Sequence, residues 1–171
     1  MNKTKLVNCF LSGRRKSISK YENQTEELQS KVLQKLIRKA IHTEWGQTHG
    51  FAQVNDYNSF TKTSPINTYE ELKGYIDRMR RGEKDVLWSG KVRWYAKSSG
   101  TTNDKSKFIP VSKECLQDTH YRGGTDAVAL YLGQNPRSRM FDGKALILGG
   151  SHSPKYNLPH SLVGDLTALL I

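Results

Sequence analysis

Apolar side chains recur at helical spacing between residues 22 and 41. Leucine, isoleucine, valine and alanine return there every three or four positions, with Gln, Lys and Arg between them, which is the pattern of a helix with one buried face. Asn23 and Glu26 have the spacing of a capped helix start, and Gly46 marks a stop. The pattern predicts an amphipathic helix whose apolar stripe packs in a core.

A second helix is predicted to begin after Thr68. Thr68 and Glu71 have the spacing of a capping box. The apolar residues between positions 69 and 79 share one helical face, and Gly82 ends the pattern. Because cations are favourable in the last turn of a helix, we expect the arginines there to be solvated rather than to clamp a phosphate; they are Arg78, Arg80 and Arg81.

Short extended segments alternate with the helices. They are predicted at residues 86–88, 92–96, 108–109 and 144–148, the last as a buried strand. A third helix is predicted from Ser112, its N-cap, to about Leu132. Its packed positions are expected to be Leu116, Ala127, Val128, Leu130 and Tyr131. The alternation predicts an α/β fold.

Between two of the predicted strands, small and polar residues form a segment that we call the hydroxyl loop, residues 98–107. Its hydroxyl groups surround Gly100, and lysines follow them. Such a loop can direct several N–H and O–H donors toward one anion, and a lysine adds a positive charge. The same composition also occurs in ordinary hairpin turns, and the strict nucleotide motifs are absent. The candidate ligands are Ser98, Ser99, Gly100, Thr101, Thr102 and Lys107.

The net charge limits the classes of partner. The chain of 171 residues has a net charge of +11, and its first 20 residues hold six Lys or Arg and no acid. We therefore predict a basic N-terminal arm over residues 1–20, either loosely held or as a short helix. No nucleic-acid-binding motif accompanies the charge, so the sequence favours a solvated surface or attraction for an anionic substrate such as ATP over nucleic acid. A basic module that binds nucleic acid or an acidic partner remains the alternative.

Metal and membrane signals are absent from the sequence. Cys9 and Cys115 fit no disulfide or metal framework, and the five histidines have no ligand spacing. We expect no metal site built from this chain. No apolar run reaches membrane-spanning length, and the N-terminal apolar stretch is too short for a secretory signal. The sequence thus predicts a cytoplasmic protein without a membrane partner.

The order of residues in the hydroxyl loop resembles the first nucleotide-binding motif of acyl-adenylate-forming enzymes. The motif runs from Ser98 to Thr102 and continues with Lys107 and Pro110. More narrowly, it is similar to the plant auxin-responsive-promoter family of acyl-acid amido synthetases and its bacterial relatives. The flanking stretches fit the same family; they are residues 43–51, 65–72 and 75–83. Many relatives have glycine where this chain has Asp104, and we expect that side chain to face solvent.

The resemblance implies both a fold and a reaction. The chain would be an N-terminal fragment of the large adenylate-forming (luciferase-like) domain, a mixed sheet flanked by helices, with residues 21–171 as the truncated part of that domain. The enzyme would be an ATP-dependent ligase that activates a carboxylic acid as an acyl-adenylate and transfers it to an amine or amino acid. A ligase that forms a thioester instead remains open.

The resemblance also implies roles for the residues of the hydroxyl loop. Ser98, Ser99, Gly100, Thr101 and Thr102 would bind ATP. Lys107 would be catalytic, because its charge offsets that of the leaving pyrophosphate, and Mg²⁺ would bridge the phosphate oxygens. Members of the family are much longer than this chain, so we expect the fragment to be inactive alone.

Overall fold

The structure, a computed structural model, describes residues 3–98, 106–165 and 167. Two compact units divide the chain. Unit 1 comprises residues 1–28 and 114–148, and unit 2 comprises residues 29–113 and 149–171. The predicted boundary between an arm of residues 1–20 and a domain of residues 21–171 stays a prediction.

Unit 1 is helical. Its helices are α1 (Lys3–Phe10), α2 (Ser12–Ile18), α3 (Lys20–Asn23), a π-helix (Cys115–Tyr121) and α8 (Arg122–Gln134). Both α1 and α2 pack against α8. Of the two expectations for the basic N-terminal segment, the described residues therefore follow the helical one.

Polar contacts attach α1 and α2 to the second half of unit 1. Arg14 Nη2 donates to Asp126 Oδ2 at 2.7 Å, and its side-chain hydrogen bonds hold the pKa of Asp126 below the usual value. Thr4 is buried, and its hydroxyl donates to Asp142 Oδ1 at 3.1 Å. The first bond fixes α2 against α8, and the second fixes α1 to the segment that follows α8.

The third predicted helix is present, but its buried face is not the predicted one. Ala129 and Leu132 are buried, whereas Leu130 and Tyr131 are 45% and 47% exposed. Ala129 and Leu132 lie on the side of α8 that α1 and α2 contact, where their carbonyls accept from Arg15 and Asn8, so the packing partner decides which face is buried.

The predicted buried strand at residues 144–148 is wrong. This segment is irregular, and Leu146, Ile147 and Leu148 are 87%, 71% and 85% exposed. It pairs with no strand among the residues that the structure describes, and a strand exists only where a neighbour satisfies its backbone groups.

Unit 2 surrounds a small mixed sheet with helices. Its helices are α4 (Thr25–Ala40, in unit 2 from Gln29), α5 (Glu44–Thr48), α6 (Tyr57–Thr63) and α7 (Tyr69–Arg80), with 3₁₀ turns at Phe51–Gln53 and Pro154–Tyr156. The strands are β1 (Trp94–Lys97), β2 (Phe108–Val111) and β3 (Leu162–Gly164). None of the helices in the described ranges is both long and apolar enough to cross a bilayer.

The sheet has the order β2-β1-β3. β1 pairs antiparallel with β2, placing Lys97 opposite Phe108, and parallel with β3, placing Tyr95 opposite Val163. The predicted α/β class with a mixed sheet flanked by helices is therefore confirmed.

The core of unit 2 lies between this sheet and α7. Tyr95 and Val163 pack there with Ile76 and Met79 of α7. Tyr95 is fully buried, and burial raises the pKa of its phenol to about 12. A smaller cluster places Ile37 of the α4 stripe against Phe51. The apolar stripe predicted for α7 faces a core. The stripe predicted for α4 is only partly buried, because Ile37 and Ala40 are buried whereas Val32 and Leu36 are 56% and 46% exposed.

The start of α7 is the predicted capping box. Glu71 Oε2 accepts from the backbone N–H of Thr68 at 2.6 Å, and the Thr68 hydroxyl accepts from the Glu71 N–H. The first of these bonds holds the pKa of the Glu71 carboxyl below its usual value. At the other end, Gly82 has a φ of 97°, which a residue with a side chain rarely adopts. Both predicted ends of this helix are confirmed.

The predicted strand at residues 86–88 is wrong, although Val86 is buried. The carbonyl of Val86 accepts from the N–H of Trp45 at 3.0 Å, and the carbonyl of Asp85 accepts from Glu44 at 2.7 Å. These carbonyls satisfy the free N–H groups at the start of α5 and so do not pair with a strand.

Loss of the Thr68 hydroxyl should destabilise unit 2. We expect Thr68→Ala to lower the free energy of unfolding by about 1 kcal/mol, because it removes the acceptor for the Glu71 N–H. Urea unfolding followed by circular dichroism measures this. Thr61→Ala is the control, since the hydroxyl of Thr61 only donates within the exposed α6; equal losses for the two variants would contradict the assignment.

Candidate functional site

The hydroxyl loop is closed at its base by its own first and last residues. Ser98 N–H donates to the carbonyl of Lys107 at 3.0 Å, and Lys107 N–H donates to Ser98 Oγ at 3.2 Å. These bonds continue the β1–β2 ladder past the pair Lys97 and Phe108. Ser98 and Lys107, two predicted site residues, are thus brought together. The other predicted ligands lie outside the described residues, and so does Asp104. These ligands are Ser99, Gly100, Thr101 and Thr102.

In the described part of the chain, no carboxylate neutralises the charges of three lysines near this base. Lys97 and Lys155 each place their ammonium over the ring of Tyr156, at 4.9 and 5.1 Å from its centroid. Lys107 Nζ lies 5.5 Å from the centroid of the Tyr69 ring. Among the described residues, no Asp or Glu forms an ion pair with any of the three. Uncompensated cations grouped in this way attract an anion.

A buried arginine supports β2 from the side of α7. Arg80 is only 9% exposed, its guanidinium lies 3.9 Å from the centroid of the Phe108 ring, and its Nη2 donates to the carbonyl of Tyr156 at 2.7 Å. The nearest carboxylate is that of Asp77, at 4.0 Å. The prediction of a solvated helix end is therefore wrong for Arg80, because Phe108 and Tyr156 cover it.

The other arginines of this helix end are in different surroundings from Arg80. Arg78 donates to Glu44 Oε1 at 2.9 Å and to Glu83 Oε2 at 2.8 Å, and these bonds lower the pKa values of both carboxyls. Arg78 is half-buried and paired with two carboxylates rather than solvated as predicted, whereas Arg81 is exposed as predicted.

The segment at residues 149–151 is hydrogen-bonded to Asp165, the residue that follows β3. Ser151 Oγ donates to Asp165 Oδ2 at 3.3 Å, and the Ser151 N–H donates to the same oxygen at 3.1 Å. A side chain at Gly150 would meet Asp165 Cβ at 2.6 Å, so only glycine fits there. The hydroxyl of Ser151 is therefore committed to Asp165.

Sequence reasoning missed the residues that surround the base of the loop. Tyr69 and Tyr156 lie far from the loop in sequence and reach it only through α7 and the turn before β3. Lys97 directly precedes the loop and was the one detectable signal, since a cation beside a run of hydroxyls extends the same anion site. No His, Cys, Asp or Glu cluster suited to a metal occurs in the ranges that the structure describes.

Comparison with known proteins identifies similar chains. The sequence profile of the GH3 family N-terminal domain matches residues 14–163. A jasmonoyl–L-amino acid synthetase of Nicotiana attenuata is 34% identical over 94 residues, which are 54% of this chain and 16% of that protein. An indole-3-acetic acid-amido synthetase of Arabidopsis thaliana is 32% identical over 93 residues, again 54% and 16%.

A solved structure extends the similarity over more of the chain. The structure of GH3.15 acyl acid amido synthetase matches with a TM-score of 0.72 at 25% identity, covering 89% of this chain and 28% of that one. This chain therefore spans about a sixth of the length of the curated relatives that it matches.

Removal of the buried Arg80 guanidinium should destabilise the packing of β2 against α7. We expect Arg80→Met to lower the free energy of unfolding by about 1–3 kcal/mol, because it removes a desolvated cation–π contact and a charged hydrogen bond. Thermal and urea unfolding measure the loss. The matched control is Arg81→Met, at the adjacent exposed position. A stability loss no larger for Arg80→Met than for Arg81→Met would show that the buried contacts contribute nothing.

Proposed function

This chain belongs to the GH3 family, and from that premise we propose that it forms the nucleotide-gathering part of an ATP-dependent acyl-acid amido synthetase. In the first step, a carboxylate oxygen attacks the α-phosphate of ATP, giving an acyl-adenylate and pyrophosphate. In the second, an amine nitrogen attacks the acyl carbon, and AMP leaves with the electrons of the broken C–O bond.

The observation that carries the proposal is the closed base of the hydroxyl loop beside cations that form no ion pair with any described residue. Ser98 and Lys107 hold the two ends of the loop together. Lys97 and Lys107 place a positive charge at each end, next to two tyrosine rings. A polyphosphate needs both features, because fixed donors and cations offset its charge without reorganising.

Each predicted ligand has a role in this scheme. The hydroxyls of Ser98, Ser99, Thr101 and Thr102 donate to phosphate oxygens, and Gly100 permits close approach of the backbone. The Lys107 ammonium offsets the charge that develops on the leaving pyrophosphate.

The described part of the chain does not fit a protein-built site for Mg²⁺. It contains no cluster of three groups from His, Cys, Asp and Glu. We propose instead that Mg²⁺ arrives bound to the phosphate oxygens of ATP, since this ion keeps phosphate and water ligands and needs few from a protein.

The relatives favour an amine as the acyl acceptor. Their names describe the joining of an acid to an amino acid: jasmonoyl–L-amino acid synthetase, indole-3-acetic acid-amido synthetase, and 4-substituted benzoates-glutamate ligase. We therefore propose a small carboxylic acid and an amino acid as substrates here, in preference to a thiol acceptor. Because the chain spans only part of these relatives, we propose that it binds ATP weakly and is inactive by itself.

The alternative of a nucleic-acid-binding module has less support. Two cations of the basic N-terminal segment are half-buried and hydrogen-bonded within unit 1: Arg14 to Asp126, and Arg15 Nη1 to Asn8 Oδ1 at 2.7 Å. Cations that bind a nucleic-acid backbone must be exposed to reach its phosphates.

Substitutions in the hydroxyl loop should weaken ATP binding. We expect Lys107→Ala and Thr101→Ala each to weaken the binding of Mg-ATP roughly 5- to 20-fold, as loss of a charged or hydroxyl donor to phosphate implies. Isothermal titration calorimetry and pyrophosphate release, both on the longest natural form of the protein, measure this.

Matched controls for these variants lie on α6. Lys62→Ala and Thr61→Ala change the same residue types at exposed positions of that helix, and they should leave ATP binding unchanged. Wild-type affinity and pyrophosphate release in both loop variants would remove the loop from the mechanism.

A further inference from the structure

We propose that Tyr69 is a positioning residue for the hydroxyl loop, with its hydroxyl holding the backbone at the end of the loop and its ring holding the ammonium of Lys107. This inference rests on the proposed function. It assigns to α7, which contributes none of the predicted ligands, the task of fixing where the lysine charge lies.

The position of Tyr69 is set by α7 and not by the loop. Tyr69 is the first residue of that helix, directly after the N-cap Thr68 and inside the capping box that Thr68 forms with Glu71. Its ring is half-buried and packs against the core cluster that includes Ile76 and Met79. The helix start and the core together limit the rotamers of Tyr69, so its hydroxyl is an anchor of fixed position.

The Tyr69 hydroxyl satisfies the backbone where the loop joins β2. Tyr69 Oη accepts from the N–H of Phe108 at 2.9 Å. β2 is an edge strand in the described sheet, paired only with β1. The outward N–H groups of an edge strand normally bind water, whereas this one is held by a side chain from α7. The exit of the loop is thus fixed on both sides, by Ser98 and by Tyr69.

The Tyr69 ring positions the charge of Lys107. Lys107 Nζ lies 5.5 Å from the ring centroid, within the distance at which an ammonium is attracted to an aromatic face. Lysine has a flexible four-carbon stem, so an unsupported ammonium occupies many positions. Because the ring is neutral, it orients the ammonium without cancelling the charge that a phosphate needs.

The two contacts of Tyr69 can be separated by substitution. Tyr69→Phe keeps the ring and removes the hydroxyl, and Tyr69→Leu removes both. We expect Tyr69→Phe to raise KM for ATP roughly 3- to 10-fold, as loss of one hydrogen bond implies. Tyr69→Leu should raise it a further 2- to 5-fold or so, as loss of an exposed cation–π contact implies. The assay is ATP–pyrophosphate exchange in the longest natural form of the protein.

The same Tyr69 substitutions, made in a Lys107→Met variant, distinguish a positioning role from a general structural role. In a Lys107→Met protein the ring has no ammonium to orient, so Tyr69→Leu and Tyr69→Phe should have equal KM values for ATP. If Tyr69 only stabilises the fold, the difference between Leu and Phe would be the same in both backgrounds. That result would overturn the inference.

Tyr75 provides the matched control. It lies on the same helix, packs against the same core, and has the guanidinium of Arg78 at 5.9 Å from its ring centroid. Tyr75→Leu should lower the melting temperature about as much as Tyr69→Leu while leaving KM for ATP unchanged. An equal rise in KM for both variants would overturn the inference.

The outcome for Lys107→Met alone tells which proposal has failed. Unchanged exchange in that single variant would overturn the proposed function, and this inference with it. A clear loss in Lys107→Met, together with a wild-type KM in both Tyr69 variants, would overturn the role of Tyr69 alone.

Discussion

Closure of the β1–β2 hairpin at Ser98 and Lys107 is the constraint on which the rest depends. Two hydrogen bonds join these residues, at 3.0 and 3.2 Å, and they fix both ends of a segment rich in hydroxyls. A loop with free ends would lose entropy on gathering around an anion. A loop with a fixed base loses less of it, so more of the interaction with phosphate remains as binding free energy.

The elements around the hairpin serve to hold β2 in place. Arg80 is buried against Phe108 and bonded to the carbonyl of Tyr156, which ties the end of α7, β2 and the turn before β3 together. A buried guanidinium whose nearest carboxylate is 4.0 Å away is costly. Its aromatic and carbonyl partners offset that cost only in this arrangement, so they disfavour other placements of β2. Tyr69 acts at the opposite end of α7, where it contacts the loop directly.

The sequence predicted some of the features that depend on neighbours within four residues. The capping box of Thr68 and Glu71 and the stop at Gly82 are such features, and the structure has both. Other local signals failed: Asn23 is the last residue of α3, and Gly46 lies inside α5 because the preceding helix already ends at Ala40. Predictions also failed where distant residues decide the result, since Arg80 is buried under Phe108 and Tyr156, and the buried face of α8 is the one that α1 and α2 contact.

The residues of the candidate site also fall into two groups, those that a local motif indicates and those that only the fold brings near. Ser98 and Lys107 follow from the order of residues in the loop, which itself resembles that of a known family. Tyr69 and Lys155 belong to other segments, and only the packing of α7 and the turn before β3 brings them to the base of the loop. A local motif can thus indicate candidate ligands, whereas the groups that lie beside them in space are visible only in the fold.

The most direct test of the central claim is a crystal structure of the protein with a non-hydrolysable ATP analogue and Mg²⁺. The account predicts that the polyphosphate lies within hydrogen-bond distance of the hydroxyls between Ser98 and Thr102 and of Lys107 Nζ, with Tyr69 still bonded to the N–H of Phe108. A nucleotide bound elsewhere, with those hydroxyls contacting only solvent, would contradict it.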